Sequence, residues 1–227
     1  MRSLILFDID GTLVQGGPAK TAFVDAMTET YGTPGPLRDV SFAGKTDPQI
    51  ARELLLGAGL SHEEIDEGFE RLWDRYLTNL EALLPRDPVR VLPGVVELLD
   101  VLARLEAVGV GLLTGNIEGG ARLKLSSGGL WEHFRFGSFG SDHEERDRLP
   151  AIAVGRAREL YGDMVSPELA VVVGDTPRDV ACGKAGGTRT VAVATGSYSH
   201  QDLASSGPDH LLHDLSSTSE VVDLLVG

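Results

Sequence analysis

Short, mostly apolar runs closed by Gly, Asp or Thr recur along the chain: Leu4–Phe7, Val110–Leu113, Ala170–Val173 and Val191–Ala194, with weaker ones at Phe134–Phe136 and His210–Leu212. Runs apolar at nearly every position, instead of at every second one, predict strands buried on both faces, as in a parallel sheet. Between them the period changes to that of a helix. Pro93 to Val108 places Val95, Leu98, Leu99, Leu102 and Leu105 on one face and stops at Gly109. Pro150 to Tyr161 does the same with Ile152, Ala153, Ala157 and Leu160 before Gly162. This alternation predicts an α/β protein with a Rossmann-like, doubly wound parallel sheet, whose site lies at the carboxyl ends of the strands.

The stretch from Gly16 to Leu92 breaks that rhythm, with helix signals and no convincing strand. Pro18–Tyr31 carries Phe23, Ala26 and Met27 on one side and stops at Gly32. Asp47-Pro48 reads as a cap followed by a first-turn proline, opening a helix that ends near Gly57. Ser61 with Glu64 three residues later forms a capping box. It starts a long helix through Ile65, Phe69, Leu72, Trp73, Tyr76 and Leu80 that closes at Pro85. The pattern predicts a helical cap inserted over residues 16–91 into a core made of 1–15 and 92–227.

Composition narrows the function classes. With 34 acidic against 20 basic residues, a formal charge of −14, the balance argues against a non-specific binder of nucleic acid or of an anionic membrane, both of which need a cationic face, and leaves room for a local cationic pocket. Cys182 is the only cysteine, which excludes an intrachain disulfide or a cysteine-rich metal site and fits a reducing compartment. The apolar start, Leu4–Phe7, is too short for a signal peptide or a membrane span, so the expectation is a cytoplasmic protein.

The chemistry gathers at the strand ends. Leu6-Phe7-Asp8-Ile9-Asp10-Gly11-Thr12 is a buried strand running into two carboxylates one residue apart. Two like charges so placed are costly unless a cation lies between them or one carboxyl keeps its proton. A second strand, Val171–Val173, runs into Gly174-Asp175-Thr176-Pro177-Arg178-Asp179, and a third into Thr114-Gly115-Asn116. Carboxylates from two strands suit a hard cation such as Mg²⁺. The Thr114 hydroxyl and the amides of Gly115 and Asn116 suit the oxygens of a phosphate.

In these motifs, and in their order over nearly the whole chain, the sequence resembles the haloacid dehalogenase superfamily. Asp8-x-Asp10-Gly11-Thr12 is similar to its phosphotransferase branch, and Gly174-Asp175-Thr176-Pro177-x-Asp179 to phosphoglycolate-phosphatase-like members, which carry a helical cap at the same place. The resemblance implies Asp8 as nucleophile, with Mg²⁺ held by the carboxylates of Asp8 and Asp175 and the backbone carbonyl of Asp10. It implies Asp179 as a support for the metal or for a basic residue. Asp10 would protonate the leaving oxygen and then activate water, which requires a proton at the start and so a raised pKa. The family's usual lysine before a helix is absent from Asp142-His143-Glu144-Glu145-Arg146-Asp147-Arg148-Leu149-Pro150. Similarity to members with Arg ahead of Leu-Pro points to Arg146, and spacing from the helix points to Arg148; Arg146 is preferred.

Lys45, in the short loop Phe42–Asp47 between helix signals, is placed to meet a second anionic group on a substrate. The six histidines are scattered without metal-site spacing, and Cys182 sits in a small-residue run suited to packing. The expected activity is Mg²⁺-dependent hydrolysis of a small phosphorylated metabolite through an aspartyl-phosphate, with phosphoglycolate the named candidate. The alternatives are a sugar-phosphate mutase, a 2-haloacid dehalogenase, for which Asp10 has no use, and a non-catalytic phosphate- or partner-binding module.

Overall fold

The computed structural model describes residues 3–38 and 40–227. Met1, Arg2 and Asp39, which fall within the expected core and cap ranges, lie outside the described residues. Strand β1 (Ser3–Phe7) is central. It pairs in parallel with β4 (Val108–Leu113) on one side and β6 (Ala170–Gly174) on the other. Beyond β4 lies β5 (Gly137–Ser138), and beyond β6 lie β7 (Arg189–Val193) and β8 (His210–Leu212), all parallel. The order is β5-β4-β1-β6-β7-β8.

Every residue of β1 and β6 is buried because successive side chains feed opposite faces. Ile5, Phe7, Val171 and Val173 join one apolar cluster, with helices α4 (Val95–Leu102) and α9 (Thr218–Val226) supplying Leu98, Leu102, Val221 and Leu225. Leu4, Leu6, Ala170 and Val172 enter a second, with Leu149, Ala153 and Ala157 of α6 (Leu149–Tyr161) and Cys182 of α7 (Pro177–Ala185). A fully buried Leu, Val or Phe contributes about 1.5–3 kcal/mol, so both faces lock the strand register. Two further helices, α5 (Glu118–Ser127) and α8 (His200–Ser205), complete the core.

The insertion holds α1 (Ala19–Tyr31), α2 (Asp47–Gly57) and α3 (His62–Leu83). It is bracketed by a short antiparallel ribbon of β2 (Val14–Gln15) and β3 (Arg90–Val91). The capping box at Ser61 is formed, with Ser61 N–H donating to Glu64 Oε2 at 2.8 Å. Phe23 of α1 packs edge-on against Tyr76 of α3, ring centroids 5.4 Å apart, and both share the cluster that holds Phe7 and Ile9.

Several expected boundaries shift. The helix expected over Pro93–Val108 stops at Leu102, and Val108 instead opens β4, because Ser3 and Leu4 of β1 pair with Val108 and Gly109. The strand expected at Phe134–Phe136 falls on Gly137–Ser138, where the register with Leu112 and Leu113 places it. Arg90–Val91 is a strand inside a stretch expected to have none, two residues long and therefore without a periodic signal. Thr46, not Asp47, caps α2, its Oγ1 accepting the Gln49 N–H at 3.2 Å.

Candidate active site

Three adjacent strands end at one level. Phe7 pairs with Leu112 on one side and Val173 on the other, so the residues that follow the strands, Asp8, Thr114 and Asp175, converge. All three are buried, at 5%, 0% and 4% exposure. The loop after Asp8 turns at Gly11, with φ of +84°; a Cβ there would lie 2.3 Å from Asp175 Oδ2. Glycine thus lets the first loop close against the third strand end. A cavity of about 360 Å³ lies over these ends. Of the sequence-predicted residues, Asp8, Asp10, Lys45, Thr114, Gly115, Asn116, Arg146 and Asp175 line it, while Asp179 stands behind it.

Oxygens of Asp8, Asp175 and Asp179 lie within 4.8 Å of one another, the single group of this kind among the described residues. Burial pushes Asp8 and Asp175 above the usual carboxylate range, and repulsion within the cluster adds to it. An all-oxygen donor set short of positive charge fits a hard divalent cation. Arg146 supplies part of that charge. Its Nη2 donates to Asp179 Oδ1 at 2.5 Å and lies 3.1 Å from Asp8 Oδ1. Burial disfavours the guanidinium charge, but Asp179 and Asp8 outweigh it and keep the group protonated. The Cys182 thiol donates to the Arg146 carbonyl, and burial pushes that thiol up to about 12, so it packs and does not react. Asp179 also accepts from Thr176 N–H and Oγ1 at 2.9 and 2.7 Å, a capping box that leaves it oriented toward Arg146. Arg148, by contrast, is exposed, and its one ion pair among the described residues is with Glu145 at 3.4 Å.

Asp10 departs from expectation. Its carboxylate turns to Lys124, whose Nζ donates to Oδ1 at 2.9 Å and Oδ2 at 2.7 Å. Burial alone would raise the Asp10 pKa; the Lys124 ammonium and its hydrogen bonds, with Asn116, override this and lower it. Asn116 ties the group together, donating to Asp10 Oδ2 at 2.9 Å and Thr114 Oγ1 at 2.8 Å while accepting from Lys124 at 2.6 Å. Lys124 was not singled out in the sequence. The available signal was a lysine on the inward stripe of α5, beside Ala121 and Leu125.

The insertion is seated on the core. Asp47 N–H donates to Gly115 O at 2.7 Å, and Asp47 Oδ2 accepts the Ile117 N–H at 2.9 Å. Gly115 has no room for a side chain, since a Cβ would lie 2.0 Å from Lys45 O. Thr46 Oγ1 donates to Glu144 O at 2.6 Å, and Arg52 Nε meets both Glu144 carboxylate oxygens at 2.9 Å. Lys45 lines the cavity, and its ammonium is paired with Glu53.

Residues 3–187 match the family described as haloacid dehalogenase-like hydrolase, and the chain belongs to it. It is 31% identical to the phosphoglycolate phosphatase of Rhodospirillum rubrum over 97% of this chain and 90% of that protein. It is 30% identical to the phosphoglycolate phosphatase of Synechococcus elongatus over 98% of both. Among solved structures, a hydrolase from Pseudomonas syringae superposes over the full length of both chains with a TM-score of 0.73 at 21% identity, which shows the shared fold.

Proposed function

We propose that this hydrolase is a Mg²⁺-dependent phosphatase that cleaves small phosphate monoesters through an aspartyl-phosphate on Asp8. The observation that carries it is the convergence of Asp8 and Asp175, at adjacent strand ends, with Arg146, from the turn before α6, inside a cavity about 360 Å³ in volume. Asp8 and Asp175, with the backbone carbonyl of Asp10, would hold the ion. When bound, Mg²⁺ supplies positive charge that offsets repulsion between the Asp8 carboxylate and a phosphate dianion.

The chain's own residues account for the remaining work. An Asp8 oxygen bonds to phosphorus as the ester P–O bond breaks, and the leaving oxygen takes a proton from Asp10. Asp10 then removes a proton from the water that hydrolyses the acyl phosphate. The Lys124 pair keeps Asp10 ionised, the form this second half requires. The dianionic ester, on entering, disfavours a further anion beside it and so favours the acid form needed first. Thr114 and the amides of Gly115 and Asn116 hold the phosphoryl oxygens, and Arg146 fixes Asp8 while adding charge beside the transferring group. The helices over 16–91 act as the cap. Their hydrogen bonds to Gly115, Ile117 and Glu144 exclude bulk water and restrict the substrate to a small metabolite.

Phosphoglycolate is the named candidate, on the strength of the similar enzymes. A single, buried cysteine fits a reducing, cytoplasmic setting. The test is hydrolysis of phenyl phosphate and of phosphoglycolate in Mg²⁺ and in chelator. Turnover in Mg²⁺ that stops in chelator is expected; equal rates in both overturn the metal assignment, and no turnover of any ester overturns the phosphatase reading.

A further inference from the structure

Four cationic side chains line the cavity: Lys20, Lys45, Lys124 and Arg146. Three are matched within the protein. Arg146 meets Asp8 and Asp179, Lys124 meets Asp10, and Lys45 meets Glu53. Lys20, on the first turn of α1, has no carboxylate partner among the described residues. Its Nζ lies 5.0 Å from the centroid of the Phe42 ring, a cation–π contact that restrains the ammonium and leaves its donors unused.

The surface around Lys20 differs from the strand-end side of the cavity. The core supplies carboxylates and hydroxyls there, whereas the insertion supplies Phe42, Phe23, Tyr76 and Ile50. Phe23 packs edge-on against both Phe42 and Tyr76, at centroid distances of 6.2 and 5.4 Å, so the three rings form one packed apolar wall. The cavity that holds Asp8 therefore also presents an apolar wall with one unmatched positive charge beside it.

We propose that Lys20 recognises a carboxylate on the leaving group, which makes the preferred substrates phosphate esters of small hydroxy acids whose carbon skeleton lies against Phe42. This deepens the phosphatase reading and rests on it. A carboxylate is favoured over a second phosphate because a lone ammonium balances one charge. A dianion beside an aromatic wall, with no guanidinium fork to meet it, stays half compensated. The selectivity for an acidic leaving group therefore sits on α1 and not on Lys45, whose charge Glu53 has already neutralised.

The experiment compares kcat/KM for 4-carboxyphenyl phosphate and phenyl phosphate, in Mg²⁺, for the full-length protein and its Lys20 variants. Lys20 is exposed, so its replacement leaves the packing of α1 intact. The wild type prefers the carboxylated ester. Lys20→Ala lowers the ratio of the two kcat/KM values about tenfold, mainly through KM of the carboxylated ester, the scale of one lost charge-assisted contact. Lys20→Arg restores the ratio and Lys20→Glu reverses it. A wild type that hydrolyses both esters without preference, or a preference that Lys20→Ala and Lys20→Glu leave unchanged, overturns the assignment and leaves the phosphatase reading standing. Failure to hydrolyse either ester removes both.

Discussion

Replacing Arg146 by Met removes the cation that pairs with two buried carboxylates, Asp8 and Asp179. The guanidinium is 6% exposed, and its partners Asp8 and Asp179 are 7% and 2% exposed. Taking one member out of a buried ion cluster leaves uncompensated charge and costs about 3–5 kcal/mol, whereas an exposed pair is worth about 0–1 kcal/mol. Arg148 and Glu145 are 68% and 69% exposed and 3.4 Å apart, so Arg148→Ala should change stability by less than about 0.5 kcal/mol. For a chain of this length the Arg146 loss corresponds to a Tm lower by roughly 10 °C. Because Arg146 also fixes Asp8, kcat should fall by about 10²–10³, the scale of losing one preorganised charge stabiliser. Urea unfolding in chelator and initial rates on phenyl phosphate in Mg²⁺ read the two effects separately. Adding Asp8→Asn to Arg146→Met removes one stranded charge and should recover part of the lost stability, though none of the activity. Equal stability for Arg146→Met and Arg148→Ala, or a double variant less stable than Arg146→Met, would refute the argument from buried charge.

Two further outcomes follow from the charges around the cavity. Burial raises the Asp47 pKa from 3.8 to about 6 against the opposing pull of Lys124 and the Ile117 N–H. Between those values the folded state binds the extra proton, so stability declines as pH rises from about 4 to about 6, by at most about 3 kcal/mol. Asp47→Asn should flatten that part of the stability–pH curve in urea titrations; an unchanged slope contradicts the assignment. Lys124 holds the Asp10 pKa down, so Lys124→Met should move the acidic limb of the kcat–pH profile to higher pH and lower kcat. An unmoved limb would show that the ammonium does not govern Asp10.

Much of the architecture was legible because it is written locally. The runs at Leu4–Phe7 and Ala170–Val173 announce strands buried on both faces, and the carboxylates that close them fall at the site without any knowledge of the pairing. Ser61 and Glu64 mark their helix start within four residues. What stayed hidden depends on contacts across the chain. Lys124 lies 114 residues from Asp10, and on a helix pattern a lysine beside Ala121 reads as an amphipathic flank. Asp47 before Pro48 has the form of a cap, yet Thr46 takes that task and Asp47 bonds to Ile117, 70 residues away. Arg146 and Arg148 share one short turn before α6, where no periodicity separates inward from outward; burial against Asp179 does. Lys45 reads as a free cation until Glu53, on the second turn of α2, is brought beside it.

The proposed reaction depends on Asp8 carrying the phosphoryl group. Acid quenching of the enzyme during turnover of phenyl phosphate in Mg²⁺, followed by peptide mass analysis, tests it most directly. An acid-stable, hydroxylamine-labile phosphoryl adduct is expected on the peptide holding Asp8. It should be lost in Asp8→Asn and should accumulate in Asp10→Asn when an activated aryl ester, whose leaving group needs little protonation, is supplied. Full turnover in a well-folded Asp8→Asn variant, or an adduct on any other residue, would contradict it.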